Sequence, residues 1–351
     1  MKTRTRIAHI DTAEYKYGFH VEKQPSILSS ITRVINNMPF STMQIYISNS
    51  RSKNPPKFDF DELEVTRKYI LKNNVNCYIH GCLLYNLAGT VNGETDENYQ
   101  TSLEATIRGL TAELDYAVAM GSLGVVFHPG SRVNSKGKDK DTKNGLRVIA
   151  ETMVKCLTRV TPEIKKIAEK QQISLSKAMN SRTLIIENAA GEGTKLCSEF
   201  QEIRDVLDHI SEVKHGNLRL KQVKVCIDTC HAFAAGIIDW GKDGEISKFY
   251  ENFDKIIGIE YLELFHFNDA MSSEEKGKNS YFGSKKDRHQ NLGLGNIFGD
   301  EIRFLQIGVF VEEARKRSIS MIGEPPGPGL FDWAVVSEVT SQSKYPLVSF
   351  Y

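Results

Sequence analysis

Nowhere in these 351 residues is there an apolar run of about 18, the length a membrane-spanning helix needs, so no membrane span is expected. The first six residues, MKTRTR, are basic but lack an apolar stretch behind them, so a secretory leader is not expected either. Cysteine is scarce: the six, at positions 77, 82, 156, 197, 226 and 230, are too few to staple a chain this long. A reducing compartment fits, either cytoplasm or nucleus. Charge of one sign is missing too, because 45 Lys and Arg meet 44 Asp and Glu, leaving a formal +1. That balance removes the strong basic bias of many nucleic-acid proteins. It does not exclude them, since the field depends on where charges sit and bound cations add to it.

What is present is a recurring unit. An apolar, β-branched or aromatic run of about five residues precedes a helical pattern, again and again. The candidate strands are Tyr17–Val21, Thr42–Ile47, Asn76–His80, Gly124–His128, Thr183–Glu187, Lys224–Asp228, Leu262–His266 and Ser320–Glu324. The spacing predicts helices over Ile27–Asn36, Asp61–Lys72, Tyr99–Ala119, Gly145–Glu169, Ser198–His209, Glu245–Ile256 and Asp300–Arg317. Strands alternating with helices in this way predict an α/β fold, a (β/α)8 TIM barrel. An open doubly wound sheet is the alternative, but no Gly-rich turn follows the first strand to give it a dinucleotide site. Residues 1–15 read as an N-terminal extension, 16–330 as the barrel and 331–351 as a C-terminal tail. Ser131–Lys143, Lys165–Ser181 and Met271–Lys286 read as polar decorations.

The strand ends carry the chemistry. Six consecutive candidate strands finish in a residue able to bind a metal: His80, His128, Glu187, Asp228, His266 and Glu324. In a parallel barrel these ends meet at one mouth. The loops add His231, Asp287 and His289. One strand-end histidine alone is more often a hydrogen-bonded structural group, and one acid is usually a solvated loop start. Nine together differ, because four carboxylates in a partly dry mouth repel one another unless cations join them. Five histidines and four carboxylates suit zinc, with manganese or iron tolerated. A Cys-x3-Cys knuckle at Cys226 and Cys230 is the competing metal site. It is disfavoured because Cys226 shares strand parity with Asp228 but lies one step behind the mouth.

At these residues the chain resembles the endonuclease IV family of abasic-site endonucleases, over about residues 15–330. The resemblance is carried by Val225-Cys-Ile-Asp-Thr-Cys-His-Ala-Phe-Ala-Ala-Gly236, His266-Phe-Asn-Asp269 and Asp287-Arg-His-Gln-Asn-Leu-Gly-Leu-Gly-Asn-Ile297. Phe127-His-Pro-Gly-Ser131, Ile186-Glu-Asn188 and the stretch from His80 to Leu87 add to it. It implies three zinc ions. The first would be held by His80, His128 and a bridging Glu187, the second by Glu187, Asp228, His266 and Glu324, and the third by His231, Asp287 and His289. It implies hydrolysis of the phosphodiester 5′ to abasic sites in double-stranded DNA, with trimming of blocked 3′ ends, and Glu187 and Glu324 as the catalytic carboxylates. Leu83 and Leu84 would stand where the family's penetrating loop meets DNA, and Arg51 where a basic residue fills the emptied base position. A monomer without membrane attachment is expected. The alternatives are a metal-dependent sugar isomerase or epimerase on the same barrel, which needs no third ion, and a DNA-binding protein without catalysis.

Overall fold

The computed structural model describes residues 15–23, 25–37, 42–89, 97–132, 141–275, 277–327 and 329–342. The barrel strands are β1 (Tyr17–Val21), β2 (Thr42–Ile45), β3 (Asn76–His80), β4 (Val125–Phe127), β5 (Leu184–Glu187), β6 (Val223–Asp228), β7 (Leu262–His266) and β8 (Ser320–Gly323). They pair in parallel, in chain order, and β8 closes on β1. The helices are α1 (Ile27–Asn37), α2 (Phe60–Lys72), α3 (Glu97–Met120), α4 (Thr142–Thr158), α5 (Pro162–Lys170), α6 (Leu175–Asn180), α7 (Phe200–Glu212), α8 (Thr229–Ala235), α9 (Glu245–Ile256), α10 (Glu301–Lys316) and α11 (Leu330–Gln342). No helix among the described residues is long and apolar enough to cross a membrane. The expected TIM barrel is borne out.

Strand parity explains how the barrel is filled. Tyr78, Val126, Ile185, Cys226, Leu264 and Ile322, one from each of β3 to β8, form a separate buried cluster. Their outward neighbours, such as Ile79, Phe127, Ile186, Ile227 and Phe265, join the larger core beneath the helices. Side chains alternate across a strand with period two. Two residues beyond each member of the inner cluster therefore comes another inward residue: His80, His128, Glu187, Asp228, His266 and Glu324. The plug is apolar, and the layer above it is ionisable.

Several boundaries differ from the sequence expectation, strand ends by a residue or two and three stretches by more. The helix expected over Gly145–Glu169 is split, because Thr161 caps a new one by accepting the Ile164 N–H at 3.0 Å, with Pro162 in its first turn. The freed carbonyls at the end of α4 are taken by fully buried Arg182, whose Nη1 reaches Cys156 O at 3.2 Å, Leu157 O at 3.2 Å and Arg159 O at 2.8 Å. Asp115, also fully buried, neutralises that guanidinium. The decoration expected over Lys165–Ser181 likewise holds the end of α5 and all of α6. The stretch set apart as a tail from residue 331 is helical through Gln342, and Asp332, Val335, Val336 and Thr340 are buried. Residues 1–14, 133–140 and 343–351 lie outside the described residues.

One buried acid is expected to make stability depend on pH. Glu113 on α3 is 1% exposed, and burial pushes its carboxyl from 4.5 up to about 8, the Tyr85 hydroxyl and Cys82 backbone partly opposing. Between those values the folded chain keeps a proton the unfolded chain has released. This group's contribution to stability therefore falls as pH rises through that window, by up to about 1.4 kcal/mol per unit. Glu113→Gln, a neutral isostere, is expected to melt higher than the parent at pH 8 and about equally at pH 5. Parallel melting curves across that range would contradict a protonated Glu113.

Candidate metal centre

The nine residues converge. His80 and His128 each bring Nε2 to 3.6 Å from Oε2 of Glu187. The other oxygen of Glu187 faces Nδ1 of His266 at 3.0 Å and Nδ1 of His231 at 3.4 Å. Nδ1 of His266 also lies 3.3 Å from Glu324 and 4.0 Å from Asp228. Nε2 of His231 is 3.2 Å from Asp287, and Nε2 of His289 is 3.3 Å from Asp287 and 3.5 Å from Asp228. Sets of potential ligand atoms within 4.8 Å of one another are His80, His128 and Glu187; Glu187, Asp228, His266 and Glu324; and His231, Asp287 and His289. A further set joins Asp228, Cys230 and His289. Cys226 is in none of them; it sits in the inner apolar cluster, so the two cysteines form no knuckle.

Local sequence makes these placements. Asp228 ends β6 and caps α8, its Oδ1 accepting the His231 N–H at 2.8 Å, so the Asp-x-x-His spacing swings His231 onto the same mouth. Gly236 ends that one short helix in the left-handed region, at φ 82°, where a glycine costs least. Asp269 grips the loop after His289, accepting the backbone N–H groups of Gly293 at 3.1 Å, Gly295 at 3.1 Å and Ile297 at 2.9 Å. A side chain at Gly295 would meet the Asp269 carboxylate at 2.5 Å, so the approach requires glycine there.

Hydrogen bonds choose which ring nitrogen faces the centre. His80 Nδ1 donates to Gly81 O at 2.8 Å, His231 Nδ1 to Asn188 O at 2.8 Å and His289 Nδ1 to Glu324 O at 3.3 Å. A carbonyl only accepts, so each Nδ1 carries a proton and Nε2 is the nitrogen left to offer a lone pair to a cation. His266 is reversed: its Nε2 donates to Gln44 Oε1 at 3.0 Å, freeing Nδ1. Nε2 of His231, Nε2 of His289 and Oε2 of Glu187 are buried and, among the described residues, make no well-directed hydrogen bond, although Asp287 stands 3.2 and 3.3 Å from the two rings. Buried orphans of this kind are costly unless something binds them. Lone pairs and carboxylates aimed at common points fit divalent cations.

Without cations the centre supplies its own counter-charge. Burial opposes charge on His289, but Asp228 and Asp287 outweigh it and lift the imidazole to about 9. The same contest raises His231 and His266 well above the ordinary range. Burial opposes ionisation of Glu187 too, yet His128 and His266 hold its carboxyl well below the usual range. His128 goes the other way, down to about 4, because burial and the neighbouring His80 and His231 prevail over Glu187.

The centre opens into a cavity of about 930 Å³ whose walls include His20, Tyr46, Leu83, Glu324, Pro325 and Pro326. Leu83 is 43% exposed and Leu84 50%, so neither packs into the core. Leu83 N–H donates to Ser50 O at 2.8 Å, which joins its loop to the one carrying exposed Arg51. Sequence reasoning missed His20 and Gln44. Gln44 bridges the site, donating from Nε2 to Glu324 at 2.8 Å while lying 3.1 Å from His20 Nδ1. A buried glutamine inside the apolar run Thr42–Ile47 was the available signal. Asn268 and Asn188 were in the motifs without a role. Asn268 donates to Asp228 at 2.7 Å and accepts the Glu324 N–H at 2.7 Å, and Asn188 accepts the Asp228 N–H at 2.7 Å.

Comparison with known proteins gives a consistent result. A family model described as a xylose isomerase-like TIM barrel, AP endonuclease 2, matches residues 33–308. A curated relative from Chlorobium phaeovibrioides, a probable endonuclease 4, is 30% identical over 211 residues, covering 60% of this chain and 62% of that protein. The chain thus spans under two thirds of that relative's length. Among solved structures, endonuclease IV from Thermus thermophilus superposes with a TM-score of 0.66 at 22% identity, covering 94% of this chain and 99% of that one. A D-tagatose 3-epimerase-like protein superposes with 0.58 at 16% identity, covering 94% and 98%. At such identities the superpositions establish the barrel alone. The family match spans most of that barrel and agrees with the motifs at the strand ends: the chain belongs to the AP endonuclease 2 family of xylose isomerase-like TIM barrels.

Proposed function

We propose that this protein is a metal-dependent endodeoxyribonuclease that hydrolyses the phosphodiester 5′ to abasic sites and trims blocked 3′ ends. The observation that carries the reading is the third ligand group, His231 with Asp287 and His289, beside two groups that share Glu187. An epimerase works with one or two ions and has no use for a third. Three zinc ions fit the donor set, with manganese or iron as substitutes. Bound there, such ions would lower the pKa of water toward about 7 and neutralise charge on the phosphate.

The chain's own groups do the rest. Glu187, with its two oxygens turned to different histidine pairs, holds the first two ligand groups in register. Glu324 is the more open carboxylate, 16% exposed, and lines the cavity. Held by Gln44, its carboxylate would help orient the attacking water. The apolar plug below keeps bulk water out of the barrel. The products would be a 3′-hydroxyl and a 5′-deoxyribose phosphate.

Leu83 and Leu84 would wedge into the base stack at the gap, with Arg51 filling the emptied position. Unstacking costs a few kcal/mol in normal duplex and less where a base is missing. The test pairs a nicking assay with binding at fixed salt, on duplexes with and without one abasic analogue. The parent is expected to nick 5′ to the lesion and leave an end that a polymerase extends. Changing both leucines to serine is expected to weaken abasic binding about tenfold or more relative to undamaged duplex, with metal content unchanged. No incision, together with epimerisation of a ketohexose, would replace the nuclease reading. An unaltered lesion preference in the double variant would refute the wedge.

A further inference from the structure

We propose that Asp332, on the last helix, is a positioning residue for the third ligand group, holding the segment that carries His289 through Asn291 and Leu292. The proposal rests on the metal-centre reading above. Asp332 is 1% exposed, and its Oδ1 accepts from Asn291 Nδ2 at 2.8 Å and from the Leu292 N–H at 3.1 Å. Asn291 is two residues beyond His289, and two further anchors hold the segment on either side. His289–Gln290 pairs with Asp269–Ala270 as a short antiparallel ribbon, and Asp269 grips residues 293, 295 and 297 from the other side. Between these two anchors, Asp332 receives the Asn291 side-chain NH2 and the Leu292 N–H, while the Asn291 N–H goes to the neighbouring Gln290 side chain at 2.9 Å.

The geometry forms a closed frame. Glu324 leaves β8 and its carbonyl accepts the His289 Nδ1–H at 3.3 Å. Asp332, eight positions later in the sequence, meets the same segment. Residues 289–292 are thus met at one end by Glu324 and at the other by Asp332. Buried Val335 and Val336 seat α11 and so fix where Asp332 stands. With that end released, the backbone that carries His289 would keep the ribbon and the Asp269 grip but lose the brace between them. Asp332 lies beyond residue 308, where the family match ends, so this brace comes from outside the matched span.

Both donors need an acceptor, which Asn supplies and Ala does not. The test loads the parent, Asp332→Ala and Asp332→Asn with zinc and follows release to a colorimetric chelator, with melting curves on the same samples. His289→Ala serves as the control that loses its ion outright. Asp332→Ala is expected to release one ion of the set about 10- to 100-fold faster than the parent, with Asp332→Asn close to the parent. Asn291→Ala, at a half-buried position, is expected to fall between them and stands in should Asp332→Ala not fold. Parental release from folded Asp332→Ala, or Asp332→Asn behaving like Ala, would overturn the proposal while leaving the metal centre intact. A parent that takes up no zinc would overturn both.

Discussion

Glu187→Gln is expected to lower turnover on abasic duplex by about 100-fold or more while DNA binding stays near the parent level. The residue is 1% exposed and central: one oxygen faces His80 and His128, the other His231 and His266. Glutamine has the same shape, but its NH2 end cannot bind a cation and would present hydrogens to nitrogens already turned inward. One of the two adjoining ligand groups therefore loses a donor atom and a negative charge. Metal-ion charge stabilisation is worth several kcal/mol at a transition state, and each 1.36 kcal/mol is a factor of ten in rate. The leucine and arginine loops are untouched, so affinity for the lesion is expected to persist. Single-turnover incision beside equilibrium binding separates the two effects. Near-parental turnover would remove Glu187 from the bridging role.

Removal of metal is the second large effect. Chelation is expected to abolish incision, with recovery on adding zinc back. It is also expected to lower the melting temperature by roughly 10 °C, since a ligand at 1,000 times its dissociation constant contributes about 4 kcal/mol and each kcal/mol shifts melting by about 2–4 °C. The loss has a pH signature. In the metal-free protein His289 has its pKa lifted from 6.5 to about 9 against the pull of burial, and His231 and His266 are raised well above the ordinary range too. A raised histidine stabilises the fold fully below its unfolded value and ceases to do so as pH climbs through its folded value. The metal-free protein is therefore expected to weaken between pH 6.5 and 9, and the gap to the loaded protein to widen over that window. A constant gap, or incision that survives verified metal removal, would contradict the centre.

Much of the site was legible because a short strand is a simple object. Cys226 and Asp228 differ by two residues, so they must face the same side; one falls in the plug and the other at the mouth. The same step of two relates Tyr78 to His80 and Leu264 to His266. The helix break at Thr161-Pro162 was also readable, as a cap followed by a proline, but the continuous apolar pattern on either side masked it. The helix at Leu330–Gln342 was harder. Its pattern is apolar nearly all round, and its buried Asp332 resembles a surface residue until its partners are known.

Local alternation and residue chemistry thus pointed by themselves to eight parallel strands and to nine side chains able to bind a metal at their ends. Which atoms of those side chains meet was decided only by tertiary structure. The proton on His266 is placed by Gln44, 222 positions away, and the proton on His231 by the carbonyl of Asn188, 43 positions away. Those partners arrive from neighbouring strands and loops through barrel closure, and a backbone carbonyl looks the same at every position of a sequence. Hydrogen bonds have direction, and direction appears only once the chain has closed.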